Sequence, residues 1–368
     1  MESIDNILQR VEESKPFKAL LKEHRKESVT VHLENLVGGA LSLYSAALIR
    51  RAGGVHLFVA EDRDAAAYML NDFYSLLDQE QVHFFPTSYK RSILYGREDA
   101  QGVVQRTNTL NALRHHRAGY LVVCTYPEAL AERVADERTL SERSIRLRVG
   151  DTISIAELEE MLIERGFQQV DFVYEPGQYS LRGGIVDVFS YSESRPFRFD
   201  FFGDEIDSIR RFNISSQLSH DKAEEVEIIP NLNGDGQEKV SLVRFAGDAT
   251  CWFYDAEYVF GRVNDLRRRM LGEMEEPSKI DTLLTSRKNL LLDMEQCRVA
   301  LLRDNIKERV ADTTITFATT PQPKFNKNFE VLADDLADSM LKGYRSYILS
   351  ENNQDLYILK LFLQKIAQ

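Results

Sequence analysis

The stretch ENLVGGALSLYSAALIRR, from Glu34 to Arg51, sets two glycines directly ahead of an apolar helical run. A glycine turn opening a helix is the local shape that cradles a phosphate, because free N–H groups and the helix dipole favour anions there. Phosphate-loop chemistry asks for more. In GxxxxGK[ST] a lysine reaches the β- and γ-phosphates and a hydroxyl holds magnesium. On that frame Leu41 falls at the lysine, Ser42 at the hydroxyl and Ala40 at the second glycine. Leucine brings no charge to a phosphate, and the segment contains no DExD or DExH box for the metal. Gly38, Gly39, Leu41 and Ser42 therefore read as a vestigial phosphate loop, a turn before a buried helix. No catalytic residue, cofactor or metal is expected in this chain.

Other constellations are weaker. His115 and His116 are adjacent in RHHR at a basic helix end, where neighbouring side chains diverge and do not share a metal. Asp334-Asp335 and Glu224-Glu225 read as solvated faces rather than acid–base pairs. No GxSxG, HExxH or paired CxxC occurs. Cys124, Cys251 and Cys297 lie far apart and match no ligand spacing, consistent with a reducing cytoplasm.

The stretch with a recognition signature is RPFRFDFFGD, residues 195–204. As a strand it puts Phe197, Phe199 and Phe201 on one face, an ordinary core face. Arg198, Asp200 and Phe202 fall on the other. An exposed arginine beside an exposed aromatic has the composition of an interface hot spot: the guanidinium pairs with a carboxylate while the ring fills a shallow pocket. Asp200 is placed to pair with Arg198 and hold it. The bland alternative is that Phe202 packs on the next strand or a neighbouring domain. Arg182, ahead of Gly183-Gly184, is either a solvated strand end or part of the same surface, and Arg210 and Arg211 could join it in a small basic patch.

Several elements must position these residues. Residues 1–27 read as two short polar helices. GVHLFVA, QVHFF and Leu121–Thr125 read as short buried strands alternating with helices, the pattern of a parallel α/β layer. Near residue 144 the period changes. SIRLRVGDTIS alternates, Ser154 and Glu157 form a capping box, and Gly166 ends that helix. Period-two strands follow near 171–175, 179–189, 196–202 and 206–212, with Gly203-Asp204 as a tight turn. NLNGDGQ, 231–237, marks a boundary. TCWFYDA is then a strand, 255–310 a long charged helical region, and the final residues strand, loop and helix.

The expected fold is an α/β parallel-sheet domain formed by 1–143 and 233–368, interrupted at 144–232 by a small α+β insert with an antiparallel sheet. The chain reads as a fragment of something longer. A net charge of −12 argues against a dedicated binder of nucleic acid or anionic membrane, and residues 171–211 hold eight acids against five arginines. No apolar run approaches a membrane span, and the N-terminus lacks a secretory signal.

The run GQYSLRGGIVDVFSYSESRPFRFDFFGDEIDSIRRF, Gly177–Phe212, resembles the module shared by the excision-repair protein UvrB and the transcription-repair coupling factors. Its landmarks are RGG, VDVF, PFR and FFGDEIDSIRRF, and the order of elements fits as far as about residue 230. The degenerate phosphate loop, and the lack of a tyrosine-rich hairpin in 86–100, favour the coupling factors. The resemblance implies an adaptor that docks the damage-recognition ATPase UvrA through Arg182, Arg198 and Phe202, with Asp200 in support. It implies a parent that is an ATP-driven DNA translocase, with ATP, magnesium, RNA polymerase and DNA handled by parts outside this chain. The chain itself is expected to be monomeric and to hydrolyse nothing. Rival readings are a divergent nucleotide- or DNA-binding fragment, and a clamp that holds a remote motor at rest.

Overall fold

The computed structural model describes residues 4–89, 98–232, 238–303, 306–321, 325, 328–344 and 346. Two compact units divide the chain, 1–319 and 320–368. In the first unit, α1 (Ile4–Glu13) and α2 (Lys15–His24) lead into β1 (Thr30–Glu34), α3 (Gly39–Ala52), β2 (Gly54–Val59), α4 (Arg63–Leu76), β3 (Val82–Phe84), α5 (Ala100–His115) and β4 (Tyr120–Thr125). A short α6 (Pro127–Ala131), β5 (Val134–Ala135) and α7 (Glu137–Arg143) close this stretch.

The insert runs through β6 (Ile145–Arg148), α8 (Ile155–Glu164), β7 (Gln168–Gln169), β8 (Gln178–Arg182), β9 (Ile185–Val188), β10 (Phe197–Phe202), β11 (Glu205–Phe212), β12 (Ser219–Ala223) and β13 (Glu225–Ile228). The chain then returns through β14 (Lys239–Val240), α9 (Leu242–Ala246), β15 (Thr250–Phe253), α10 (Ala256–Glu273), α11 (Ile280–Leu283), α12 (Arg287–Asp293), β16 (Arg298–Leu301) and β17 (Thr313–Thr316). In the second unit, α13 (Phe329–Leu341) is capped by Asn328, whose side chain accepts from the amides of Glu330 and Val331.

Seven strands form a parallel sheet in the order β17-β1-β16-β15-β2-β4-β3, so strands from both sides of the insert interleave. Apolar clusters cover both faces, as a parallel sheet requires. His56 of β2 lies fully buried in it. Its Nδ1 accepts from Trp252 Nε1 at 3.2 Å, so its Nε2 carries the proton toward Gly53 O at 3.0 Å. Burial, then the neighbouring His24, pushes its pKa down to about 3. His24 stacks on it at 5.6 Å and is lowered to about 4, chiefly by burial and then by Arg298.

The insert is a six-stranded sheet in the order β12-β11-β10-β9-β8-β7, antiparallel except at β7–β8. Phe197, Phe199, Val186, Val188 and Ile209 pack against Leu158 and Leu162 of α8 and against the β6–β13 pair. The capping box at Ser154 and Glu157 is present, with Glu157 N donating to Ser154 Oγ at 3.2 Å.

The structure departs from the sequence expectations in several places. Residues 171–175 are a loop, not a strand. The expected strand 179–189 is two strands, β8 and β9, turned at Gly183 (φ 61°) and Gly184. The expected helical region 255–310 contains β16, a central strand of the parallel sheet. No strand is expected from the sequence at β1, which pairs with β16, or at β17, which pairs with β1. The expected strand, loop and helix at the chain's end lie mostly outside the described residues, as does most of the NLNGDGQ boundary.

Candidate docking face

β10 presents the residues singled out from sequence, and its cross-strand neighbours decide their environments. Arg198 sits opposite Asp187 of β9 and Arg210 of β11. Asp187 sits in turn opposite Ser180 of β8. One row of side chains therefore crosses the sheet on the face away from α8.

Arg198 is not the exposed side chain that the pattern suggested. Its side chain is 14% exposed, and its guanidinium grips Asp187 in a fork: Nε to Oδ1 at 2.7 Å and Nη2 to Oδ2 at 2.8 Å. It lies over the Phe212 ring at 4.4 Å, and Nη1 donates to Gln217 O at 3.2 Å. The hydrogen bond to Asp187 leads in holding its pKa above the ordinary arginine value, against the opposing effect of burial. Asp187 is 1% exposed and also takes a donor from Arg182. One buried carboxylate thus holds two guanidinium groups, the charge-compensated form in which a buried ion is tolerated.

Asp200 does not pair with Arg198. It binds Arg210 and accepts from Ser208 Oγ at 2.7 Å, while adding a favourable field at Arg198. The expected patch of Arg182, Arg210 and Arg211 is divided by strand alternation. Arg211 sits opposite Phe197, lies over its ring at 5.2 Å and pairs with Glu193 at 3.5 Å, whereas Arg210 shares the Arg198 row.

Phe202 is where the pattern put it, 84% exposed at the end of β10. A register shift between Asp200 and Phe201 leaves Asp207 as the extra residue of a bulge in β11, so Phe201 meets Ile206 and Phe202 meets Glu205. Phe201 packs toward the core, as its alternation requires. Gly203 turns the chain with φ 62°. Arg182 and Arg210 are each 35% exposed along the side chain. Asp187 is the residue that sequence reasoning missed. Its signal, an acid inside the apolar run IVDVF, was available.

At the glycine turn of the sheet domain Gly38 and Gly39 are exposed, and the side chains at 41 and 42 are engaged. Gly38 has φ 59° and caps α3, Leu41 is 6% exposed within an apolar cluster, and Ser42 donates to Asp72 Oδ2 at 2.5 Å. His115 Nδ1 meets the Asn111 carbonyl oxygen at 3.0 Å. The 86–100 segment falls partly outside the described residues. Among the described residues, no group of three or more His, Cys, Asp or Glu side chains could hold a metal, and no helix is long and apolar enough to cross a membrane.

Residues 145–233 match the family model of the UvrB interaction domain. The transcription-repair-coupling factor of Bacillus subtilis (strain 168) is 29% identical over 231 residues, covering 62% of this chain and 19% of that protein. That of Escherichia coli (strain K12) is 28% identical over 199 residues, 54% of this chain and 17% of that protein. That of Staphylococcus haemolyticus (strain JCSC1435) is 29% identical over 172 residues, 47% and 14%. The chain spans less than a fifth of the length of these curated relatives. Residues 145–233 thus resemble the UvrB interaction domain, and the chain is similar to a part of the transcription-repair coupling factors.

Proposed function

We propose that this chain is an adaptor: the polar face of its insert docks UvrA, linking a stalled transcription complex to nucleotide excision repair. The observation that carries this reading is Phe202, a large ring 84% exposed at the end of a strand whose own charges, Arg198 and Asp200, are already paired. An outward aromatic on a rigid, charge-balanced surface is the composition of an interface anchor. Arg182 and Phe202 make direct contacts with the partner. Arg198, with its guanidinium clamped on Asp187, shapes the face from beneath.

The chain binds and hydrolyses no nucleotide at Gly38, Gly39, Leu41 and Ser42, which act as a degenerate phosphate loop. In support, position 41 brings an apolar side chain into the core and the Ser42 hydroxyl is already engaged. Nucleotide-driven translocation on DNA, and contact with RNA polymerase, belong to other parts of such proteins.

The test is calorimetric titration of the chain into purified UvrA, beside Phe202→Ala and Arg182→Ala, with folding checked by circular dichroism. Saturable binding by the unmodified chain, weakened at least tenfold in folded Phe202→Ala, is expected. No binding by the unmodified chain would overturn the adaptor reading.

A further inference from the structure

The loop ahead of β8 carries a second aromatic on the same face. Phe172 is 44% exposed, and the Arg182 guanidinium lies over its ring, 5.1 Å from the centroid. Its neighbours fix this loop closely. Val170 N donates to Tyr179 O at 2.9 Å and Ser180 Oγ donates to Asp171 O at 2.8 Å. Gln178 Oε1 accepts from the amides of Tyr174 and Glu175 at 2.8 and 3.0 Å. Val173 is fully buried in a small cluster with Phe189 and Phe212, the ring beneath Arg198. The loop is thus tied to the same packing that seats Arg198, and Phe172 faces solvent from a fixed backbone.

Strand order puts this ring across the face from Phe202. Arg182 on β8 pairs with Ile185 on β9, which pairs with Asp200 on β10, two residues before Phe202. Two strand spacings separate β8 from β10, about 10 Å. The two rings therefore flank a strip in which Arg182 presents a partly exposed guanidinium group, with that of Arg210 on β11 just beyond β10. The acids of the strip lie behind them: Asp187 is 1% and Asp200 24% exposed along the side chain. Exposed acids stand at its margins: Glu205 opposite Phe202 at the hairpin end, and Asp171 and Glu175 in the loop that carries Phe172.

We propose that Phe172 is a second anchor of the docking face, and that the strip between Phe172 and Phe202 receives a carboxylate-bearing, partly apolar segment of UvrA. Phe172 acts in two ways. It supplies apolar area to the contact, and it holds the Arg182 guanidinium flat so that its edge meets the incoming carboxylate. This rests on the adaptor reading and extends it to a residue outside the RGG and PFR landmarks.

The experiment is titration of the full chain into UvrA with Phe172→Ala, Phe172→Leu, Arg182→Ala, the Phe172→Ala/Arg182→Ala double variant and Phe202→Ala as reference. Urea unfolding of each confirms the fold. Expected are a loss of at least tenfold in affinity for Phe172→Ala, a smaller loss for Phe172→Leu, and a double-variant loss smaller than the product of the two single losses. Phe172→Ala binding as the unmodified chain does, while Phe202→Ala is weakened, would overturn this inference and leave the adaptor reading standing. No binding by the unmodified chain would overturn both.

Discussion

Asp187→Asn tests whether the buried carboxylate holds the proposed docking face together. In the native side chain, Oδ1 takes Arg198 Nε and Oδ2 takes Arg198 Nη2 as well as Arg182. Asparagine keeps the volume and one acceptor oxygen. Its amide nitrogen replaces Oδ2 and turns a donor toward two guanidinium groups. Arg198 would keep the Gln217 carbonyl and the Phe212 ring, but its charge would stay buried without a counter-ion. Removing one partner of a buried pair costs roughly 3–5 kcal/mol. Arg182, partly exposed, can turn to water, so the lower end applies, about 3 kcal/mol. Local opening should become on the order of 100-fold more frequent, at 1.36 kcal/mol per tenfold.

Native-state hydrogen exchange of the Phe197–Phe202 amides reads that change directly, with urea unfolding beside it. Asp200→Asn is the control. Its pair with Arg210 is 24% and 35% exposed along the two side chains, so solvent screening limits the loss to about 1 kcal/mol or less. A second arm replaces the pair with apolar groups, Asp187→Leu with Arg198→Met, and should recover most of the loss because it removes the orphaned charge. If Asp187→Asn exchanged no faster than Asp200→Asn, the clamp would carry no energy, and Arg198 would be free to serve a partner directly.

Three further outcomes follow from the geometry. Leu41→Lys, which restores the lysine of a phosphate loop, should give no ATP binding by calorimetry and should destabilise the chain by at least about 2 kcal/mol, since position 41 is buried. Stability should fall with acid: His24 and His56 have native pKa values of about 4 and about 3, below the ordinary 6.5. The unfolded chain therefore takes up protons first, and the contribution is complete above about pH 6.5 and lost as the pH drops toward the native values. At pH 5 His24 and His56 should each remove about 2 kcal/mol, and His24→Gln should reduce the drop in urea midpoint between pH 7.5 and pH 5. A pH-independent midpoint would refute this. Gly102→Ala in α5 should lower the melting temperature despite alanine's better helix propensity, because its Cβ would lie 2.4 Å from the Thr87 carbonyl oxygen.

Periodicity served where one face of an element is buried and the other is wet. The capping box of α8, the core phenylalanines of β10 and the outward Phe202 all follow from alternation or capping chemistry. It failed where both faces are buried. β16, the four residues RVAL, has no polar face to set its period against a helix, so it vanished into a charged helical region. β8 and β9 merged for a different reason: Gly183 and Gly184 form a turn too short to interrupt an alternating run.

The error at Arg198 is more instructive, because the face assignment was right and the partner was wrong. Residues i and i+2 on one strand lie about 6.7 Å apart, whereas residues directly opposite on neighbouring strands lie about 4.5–5.5 Å apart. Arg198 therefore prefers an acid across the sheet to Asp200 along its own strand, provided the register offers one. It does: Asp187 stands opposite Arg198, and Asp200 meets Ser208 and Arg210 on the other side. Register is set by turns and by the bulge at Asp207, which no single strand encodes. A slip of one residue between β9 and β10 would bring Val186 or Val188 opposite Arg198, and its charge would have to emerge. The exposure of Phe202 and Arg182, and the concealment of Arg198, are thus consequences of sheet register, and the proposed docking surface is specified by strand pairing as much as by the RGG and PFR residues themselves.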